Sequence, residues 1–456
     1  MKQVSVIGLG KLGAPMAASI AARGFHVIAV DLDSRKVDSI NRGLPPVKEP
    51  GLDQLLWSAG SNLEASLDTV DAVSRTDATF IVVATPSEEG GGFSLKYVLP
   101  TCEAIGKALA KKSGYHLVVL TSTVMPGSTA GPVRAELERV SGKKCGVDFG
   151  LCYSPEFIAL GTVIRDFYNP DFLLIGESDS RAGEALAELY KQICKNSPGV
   201  ARMNFINAEV TKLAVNTYVT TKISYANMLA RLCERLPGAD VNVVTDALGL
   251  DTRIGAKYLK GAVSYGGPCF PRDNRALAAL ATRLGASSGL AEATDRFNRA
   301  QIKSLADTVE AARTGAEPIA VMGLTYKVNT DVVEEACGLL LAQELSSRGT
   351  PVIVYDPMAD MQQALGSFKG VRIAKDAEEC ISEAGVIVLA TPWPEFGQVP
   401  AARWGRSNRP RCVVDCWRAF GYLSDVDGIR YMRLGHGESE AGAAHAQQSR
   451  TTSAPR

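Results

Sequence analysis

Val4-Ser5-Val6-Ile7-Gly8-Leu9-Gly10-Lys11-Leu12-Gly13 runs into an Ala-rich stretch to about Arg23, and Phe25 to Val30 then ends at Asp31. The pattern reads as strand, glycine turn, helix and strand, a βαβ opening. A G-x-G-x-x-G turn placed between a strand and a helix, with an acidic residue about 18 positions beyond its last glycine, is the pattern of a dinucleotide phosphate loop. Gly8 serves the tight turn, Gly10 lets the backbone approach a pyrophosphate and Gly13 lets helix and strand pack, while the helix N-terminus turns its positive dipole on the phosphates. Lys11 and Leu12 belong to the same loop. Asp31 would accept hydrogen bonds from an adenosine ribose and repel a 2′-phosphate, so the expected cofactor is NAD, with Arg35 and Lys36 as opposing charges nearby and Lys36 itself a candidate contact.

Outward from this opening, short apolar strands recur at Thr79–Ala84, His116–Leu120 and Gly150–Tyr153, alternating with helical patterns. Continuously hydrophobic short strands suit a parallel sheet covered on both faces. From about Asn207 one helical run extends from Ala208 to roughly Leu236, with Asn207 available as N-cap and Pro237-Gly238 as the stop. Further helical patterns cover Asp240–Leu248 and the residues after Asp273. The opening is then echoed: a strand at Pro318–Met322, a Gly323-Leu324 turn, a helix to about Arg348, and Val352–Tyr355 ending at Asp356. Ile81-Val82-Val83-Ala84-Thr85-Pro86 returns as Val388-Leu389-Ala390-Thr391-Pro392. The expected fold class is α/β, with two Rossmann-like doubly wound parallel-sheet domains joined by an all-helical central domain carrying a long helix. The expected boundaries are 1–200, 201–300 and 301–435, followed by a tail, 436–456, whose Gly, Ser, Ala, Gln and Thr composition predicts disorder.

A chain of 456 residues with 46% hydrophobic and 21% charged residues has material for several cores and is not a disordered protein. Lys plus Arg and Asp plus Glu are both 49, so no net field favours nucleic acid or an anionic membrane as principal partner. The ten cysteines form no CxxC pair and have no histidines at zinc spacing, which argues against a disulfide framework or a structural metal. No basic leader and no run of about 18 uncharged apolar residues occurs, and the expected setting is a reducing cytosol.

One cysteine stands apart. Cys269 lies in Ser264-Tyr265-Gly266-Gly267-Pro268-Cys269-Phe270-Pro271-Arg272-Asp273, a Gly/Pro turn entering a helical stretch, with Pro271 suited to the first turn. A thiol at a helix N-terminus is expected below its reference pKa of ~8.5, as a nucleophilic thiolate that the paired glycines leave approachable. Lys212 and Asn216, four apart on one helix face, are suited to stabilising an oxyanion. Glu156 in Ser154-Pro155-Glu156-Phe157 is a candidate general base, and Thr123 in Thr121-Ser122-Thr123 could position water. The last α/β unit carries a single glycine in Gly323-Leu324-Thr325-Tyr326-Lys327, where Lys327 begins a helix-forming stretch and could reach a phosphate.

Taken together, GLGKLG (8–13), VDLD (30–33), ATP (84–86), STVMPG (122–127), SPEF (154–157), NAEVTKLAVNTYVTTKISYANMLARLCE (207–234), DTRIG (251–255), GGPCFPRD (266–273), GLTYKVNTD (323–331) and VYDP (354–357) resemble the nucleotide-sugar dehydrogenases. That family comprises the UDP-glucose, GDP-mannose and UDP-N-acetylmannosamine dehydrogenases. The likeness is collinear to about residue 430, and Arg253-Ile254-Gly255 and Cys269-Phe270-Pro271 look most like the UDP-glucose branch. The resemblance implies NAD on the first domain, the nucleotide diphosphate on the last, the sugar in the cleft between them, and a homodimer or higher homo-oligomer formed through the long helix. It implies oxidation of the sugar C6 alcohol to an aldehyde, addition of Cys269, a second hydride loss to a thioester, and hydrolysis to the uronate. Under that pattern Cys269 is the nucleophile, Glu156 the acid/base, Thr123 and Asp273 water-positioning groups, and Lys212 and Asn216 the oxyanion contacts. Thr85, Pro86, Ser122 and Thr123 would join the glycine loop around NAD. Phe157, Leu160, Arg253, Tyr265, Gly266, Tyr326, Lys327 and Arg418 would join Glu156, Lys212 and Asn216 around the substrate. Departures mark a divergent member: Leu160 replaces a usual glutamate, Pro268 a serine, Arg272 a lysine and Glu334 an arginine beside the cofactor, and Arg418 matches the substrate arginine only with a one-residue shift. A two-electron hydroxyacid dehydrogenase would leave Cys269 and the repeated α/β domain unused, and a non-catalytic binding protein would leave the whole Cys269, Lys212, Asn216 and Glu156 set unexplained.

Overall fold

Alternate residues of each central strand are buried on opposite faces, which is why these strands read as unbroken apolar runs. The computed structural model describes residues 1–366, 368, 370–406 and 410–437. Of the tail expected to be disordered, residues 438–456 lie outside the described residues. His436 pairs with Asp240 across an antiparallel bridge, and the Gly437 N–H donates to the Ala239 carbonyl at 2.9 Å.

The described chain divides into two compact units, residues 1–215 with 276–287 and residues 216–275 with 288 onward. The first contains an eight-stranded sheet made of β1 (Gln3–Ile7), β2 (His26–Val30), β3 (Leu63–Ser66), β4 (Ala78–Ile81), β5 (Leu117–Leu120), β6 (Gly150–Tyr153), β7 (Phe172–Glu177) and β8 (Gly199–Met203), in the order β3-β2-β1-β4-β5-β6-β7-β8. Val27, Ala29, Leu117 and Val119 face one core and Ile28, Val30, Val118 and Leu120 the other, each large side chain contributing roughly 1.5–3 kcal/mol on burial. The strand order reverses direction at β1/β4, so a crevice opens at their carboxyl ends, where doubly wound sheets bind ligands. The sheet is not wholly parallel as expected: β7 runs antiparallel to β6, and β8 follows β7 in parallel. β7 is a buried apolar run like the strands before it, so its sequence carries no mark of its direction, and β8 is largely exposed.

The second unit holds a six-stranded parallel sheet of β9 (Ile319–Met322), β10 (Val352–Tyr355), β11 (Val371–Ile373), β12 (Val386–Leu389), β13 (Arg411–Asp415) and β14 (Ile429–Arg433), ordered β11-β10-β9-β12-β13-β14. The echo read in sequence is reproduced in contacts. The Leu9 N–H donates to Asp31 Oδ2 at 2.7 Å, and the Leu324 N–H donates to Asp356 Oδ2 at 2.7 Å. A Cβ on Gly13 would lie 1.8 Å from the Gly8 carbonyl oxygen, and one on Gly338 would lie 1.9 Å from the Gly323 carbonyl oxygen. The second domain therefore does possess the close-packing glycine, but Gly338 is separated from the turn by a long loop. Its helix spans Cys337–Ser347, so Tyr326 and Lys327 sit in that loop rather than at a helix start.

The long helix spans Phe205–Cys233. Its cap is Asn204, whose Oδ1 accepts from the Asn207 N–H at 2.9 Å, not Asn207 itself. Shorter helices cover Val241–Leu250, Phe270–Arg283 and Gly289–Ala311.

A buried polar chain sits among the first strands. Thr76 Oγ1 donates to Ser5 Oγ at 3.1 Å, Ser5 Oγ meets Thr79 Oγ1 at 2.6 Å, and Thr79 Oγ1 meets His116 Nε2 at 2.8 Å. Burial pushes His116 from 6.5 down to about 3, so it is folded as the neutral imidazole. The unfolded chain therefore binds a proton that the folded chain refuses. This contribution to stability is whole above pH 6.5 and is lost as pH falls from there toward 3. His116→Gln should flatten the decline of the urea midpoint between about pH 6.5 and 5 relative to the parent chain; parallel declines in both proteins would refute the assignment.

Candidate functional site

At the carboxyl end of β1, the backbone of residues 8–13 fits a dinucleotide pyrophosphate. Gly8 adopts φ +105°, and a Cβ there would lie 2.6 Å from the Val82 carbonyl oxygen. Nothing lies within 4 Å of a Cβ placed on Gly10, so that face of the loop is open to a ligand. Lys11 and Leu12 complete the loop, and the helix Gly13–Ala22 begins behind it. Asp31 is held at the end of β2: its Oδ2 accepts from Leu9 N–H, its Oδ1 accepts from the Asp33 N–H at 2.9 Å, and Lys36 Nζ lies 3.2 Å from Oδ2. Lys36 is thereby a partner of Asp31. On the neighbouring strand ends, Thr85 Oγ1 donates to the Thr123 carbonyl at 2.7 Å and Ser122 Oγ donates to the Val83 carbonyl at 2.6 Å. These two hydroxyls tie the loops after β4 and β5 together, with Pro86 and Thr123 on the same edge. Glycine loop, acidic strand end and hydroxyl-bearing loops thus share the carboxyl edge of one sheet, as the residues of a NAD site should.

Beyond β6 on that edge, Glu156 is half-buried, and Tyr190 OH donates to its Oε1 at 3.3 Å while also meeting Ser154 Oγ at 3.2 Å. Desolvation raises Glu156 to about 7, against the lowering effects of Lys212 and of the Tyr190 hydrogen bond. Lys212 is buried to 6% exposure on the long helix; its Nζ donates to the Glu156 carbonyl at 2.6 Å and lies 4.5 Å from the Phe157 ring centre. Leu160 stands where a carboxylate was expected, and the backbone beside it is bound by Glu49, which accepts from Gly161 N–H at 2.8 Å and Val163 N–H at 2.7 Å. A further buried carboxylate, Glu209, accepts from Gly127 N–H at 2.7 Å and Thr129 N–H at 2.8 Å, and so shapes the loop after Thr123. Tyr190, Glu49 and Glu209 escaped the sequence reading. Only Glu209, one helical turn before Lys212, left a signal, as an acid inside an otherwise apolar helical pattern.

In the second unit, Cys269 is exposed whereas the other nine cysteines are buried, and none forms a disulfide. Burial pushes Cys102 up to about 12 and Cys194 and Cys337 up to about 11, so those thiols are inert. The Cys269 carbonyl accepts from Asp273 N–H at 2.8 Å, which places Cys269 at the N-terminus of the helix Phe270–Arg283. Asp273 is 1% exposed, and its Oδ2 accepts from Asn216 Nδ2 at 2.6 Å, a contact the sequence reading did not anticipate. Two positions before Cys269 leave no room for a side chain: a Cβ on Gly266 would lie 2.2 Å from the Glu335 carbonyl oxygen, and one on Gly267 2.8 Å from the Tyr326 ring. The Gly267 N–H donates to the Glu334 carbonyl at 2.9 Å. Glu334, which stands in place of the expected arginine, is exposed, and beside it Arg275 Nη1 meets Glu335 Oε1 at 3.2 Å.

Three expected substrate contacts have partners within the chain. Tyr265 is buried, with its OH 3.4 Å from Asn274 Nδ2. Arg253 is exposed and forked onto Asp251 at 2.6 Å. Arg418 gives its guanidinium to the Leu434 carbonyl at 2.7 Å and the Gly261 carbonyl at 2.6 Å, so a substrate role would require it to abandon both bonds. Lys327 lies in the loop after Gly323 beside Tyr326. Among the described residues, no group of three His, Cys, Asp or Glu is arranged to hold a metal ion, and no helix is long and apolar enough to cross a membrane.

Sequence models of the UDP-glucose/GDP-mannose dehydrogenase family match this chain three times: the NAD binding domain over residues 2–194, the central domain over 206–300 and the UDP binding domain over 320–422. A UDP-glucose 6-dehydrogenase of Haloferax volcanii is 35% identical over 436 residues, covering 95% of this chain and all of the relative. A GDP-mannose 6-dehydrogenase of Pseudomonas syringae pv. syringae is 33% identical, covering 85% of this chain and 90% of the relative. The solved UDP-glucose dehydrogenase of Pyrobaculum islandicum is 33% identical with a TM-score of 0.85, covering 96% of this chain and 98% of that one.

The geometry around Glu156 is directly testable. Tyr190→Phe removes a hydrogen bond that favours the carboxylate, and Lys212→Met removes the favourable charge, so either substitution should move the Glu156 titration upward from about 7. Carboxyl-labelled NMR titration reads this, and a midpoint unchanged in both variants would contradict the described environment.

Proposed function

The chain belongs to the UDP-glucose/GDP-mannose dehydrogenase family, and we propose that it oxidises the C6 hydroxymethyl of a nucleotide sugar to the carboxylate, with UDP-glucose as first candidate. The observation that carries the reading is Cys269, the exposed thiol among ten, at a helix N-terminus behind two glycines with no room for a side chain. NAD, when bound, supplies the hydride acceptor for both oxidations. Cys269 sulfur forms a bond to the C6 carbon at the aldehyde level, and the oxygen of the resulting adduct takes the negative charge. Loss of a second hydride converts that adduct to a thioester. Water then breaks the C–S bond, giving the carboxylic acid and returning the proton to sulfur.

The other residues of the proposed set suit these steps. Glu156, at about 7, exchanges a proton near neutral pH and serves as acid/base for hydrolysis. Lys212 and Asn216 supply a cation and an amide toward the oxyanion, while Asp273 and Thr123 orient water. Asp31, already fixed by two backbone N–H groups, would accept from the adenosine ribose of NAD. We assign the domains as 1–200 for NAD, 201–300 for the helical bridge and 301–435 for the nucleotide, where Tyr326 and Lys327 face the substrate. UDP- and GDP-sugar relatives are nearly equal in identity, at 35% and 33%, so the UDP preference rests on the Arg253-Ile254-Gly255 and Cys269-Phe270-Pro271 segments. The ten thiols suit a reducing cytosol.

A homodimer is the proposed assembly. Tyr218, Tyr225, Met228 and Leu232 stand 63%, 49%, 39% and 52% exposed on the long helix, at spacings of seven, three and four that keep them on one side.

Two experiments follow. Incubation with UDP-, GDP- and TDP-sugars should yield two NADH per sugar for the true substrate, UDP-glucose first; one NADH per sugar would replace the four-electron reading with a two-electron one. Light scattering should give a dimer that Met228→Glu with Leu232→Glu converts to monomer, and a monomeric parent chain would overturn the assembly.

A further inference from the structure

Residues 261–265, which lead into the Cys269 turn, are buried and have no regular secondary structure. A buried coil must satisfy its N–H and C=O groups without a ladder. Here side chains from three distant elements do so. Asn227 of the long helix accepts from the Ala262 N–H at 2.7 Å and donates to the Val263 carbonyl at 2.8 Å. Asn298, on the helix Gly289–Ala311, accepts from the Tyr265 N–H at 2.8 Å and donates to the Tyr265 carbonyl at 2.9 Å. Arg418 donates to the Gly261 carbonyl at 2.6 Å. Both asparagines are almost wholly buried, at 1% and 6% exposure, and each uses its amide as a stand-in for a neighbouring strand.

The consequence runs forward along the chain. The coil is fixed at its start by Arg418, in its middle by Asn227 and at its end by Asn298, and only then reaches Gly266 and Gly267, packed against the backbone of Glu335 and the ring of Tyr326. Cys269 follows two residues later at the helix N-terminus. The backbone bonds made upstream thus help to set its position.

We infer that Asn227 and Asn298 are positioning residues for the Cys269 nucleophile, acting through the backbone of residues 262–265. The inference rests on the reading of Cys269 as nucleophile. An amide that pairs with both groups of one segment fixes its register as well as its distance. Leucine, similar in volume and without polar atoms, leaves two backbone groups of the coil without partners and frees the turn to shift.

The test uses the full chain and compares Asn227→Leu and Asn298→Leu with the parent. Three quantities are read: kcat and KM with the nucleotide sugar, KM for NAD, and the rate at which iodoacetamide alkylates Cys269, identified by peptide mass with Cys269→Ser as blank. Both variants should lose on the order of tenfold to a hundredfold in kcat and alkylate at an altered rate, with KM for NAD within about twofold, since the glycine loop and Asp31 are untouched. Folded variants with parental kcat and parental alkylation would overturn the inference. So would a loss of activity that cooling restores in step with the folded fraction measured by circular dichroism. If Asn298→Leu does not fold, Asn298→Asp, which keeps the acceptor for the Tyr265 N–H and lacks the donor to its carbonyl, carries the same test. Full turnover by Cys269→Ser would instead defeat the nucleophile reading, and alkylation of Cys269 in the asparagine variants would still show whether the clamp holds the turn.

Discussion

A helix can begin directly behind a strand only if nothing projects between them, and this chain meets that constraint twice with glycine against a glycine carbonyl. Gly13 lies on Gly8, and Gly338 lies on Gly323. Any side chain at either second glycine would overlap a carbonyl oxygen, so the helix would have to leave the sheet. Each sheet then presents loops at its carboxyl edge. In the first unit those loops carry Gly10, Asp31, Thr85, Ser122 and Glu156; in the second the loop after Gly323 carries Tyr326, Lys327 and the acid pair Glu334 and Glu335.

The two domains use the constraint differently. In the first, the turn and the packing glycine are five residues apart, and the short loop leaves open space beside Gly10, as the close approach of a pyrophosphate requires. In the second the same contact is made across a long loop, which packs instead against the turn before Cys269. Gly266 and Gly267 carry no side chains because the loop occupies that space: Gly266 meets the Glu335 backbone and Gly267 the Tyr326 ring. The cysteine is therefore positioned by the nucleotide-domain loop and by the Asn227, Asn298 and Arg418 bonds within the same unit, whereas Glu156 and Lys212 are positioned by the first.

What could be read from sequence was local. The strand–turn–helix opening, Asp31, the long helix and the singular setting of Cys269 are each encoded within a few consecutive residues. The second packing glycine was illegible because the intervening loop destroys the spacing on which the pattern depends. The helix cap was misplaced by three residues because Asn204 and Asn207 are equally good caps, and only the backbone geometry chooses. Asn227 and Asn298 were invisible for a different reason: they act on backbone 35 and 33 residues away, and an asparagine within a helix announces no partner. Tyr190 likewise looks like a core aromatic until the fold sets its hydroxyl beside Glu156. Glu334, awkward in sequence as an anion in place of a cation, lies next to Glu335, whose charge Arg275 offsets.

We propose that carbon 6 of the sugar passes through a covalent bond to Cys269. The most direct test is rapid acid quenching during turnover, followed by peptide mass analysis, with Glu156→Gln used to slow hydrolysis. The peptide containing Cys269 should carry the mass of the nucleotide uronyl group as a hydroxylamine-labile thioester, more abundant in Glu156→Gln than in the parent. NADH accumulation with Cys269 unmodified in both proteins would contradict it.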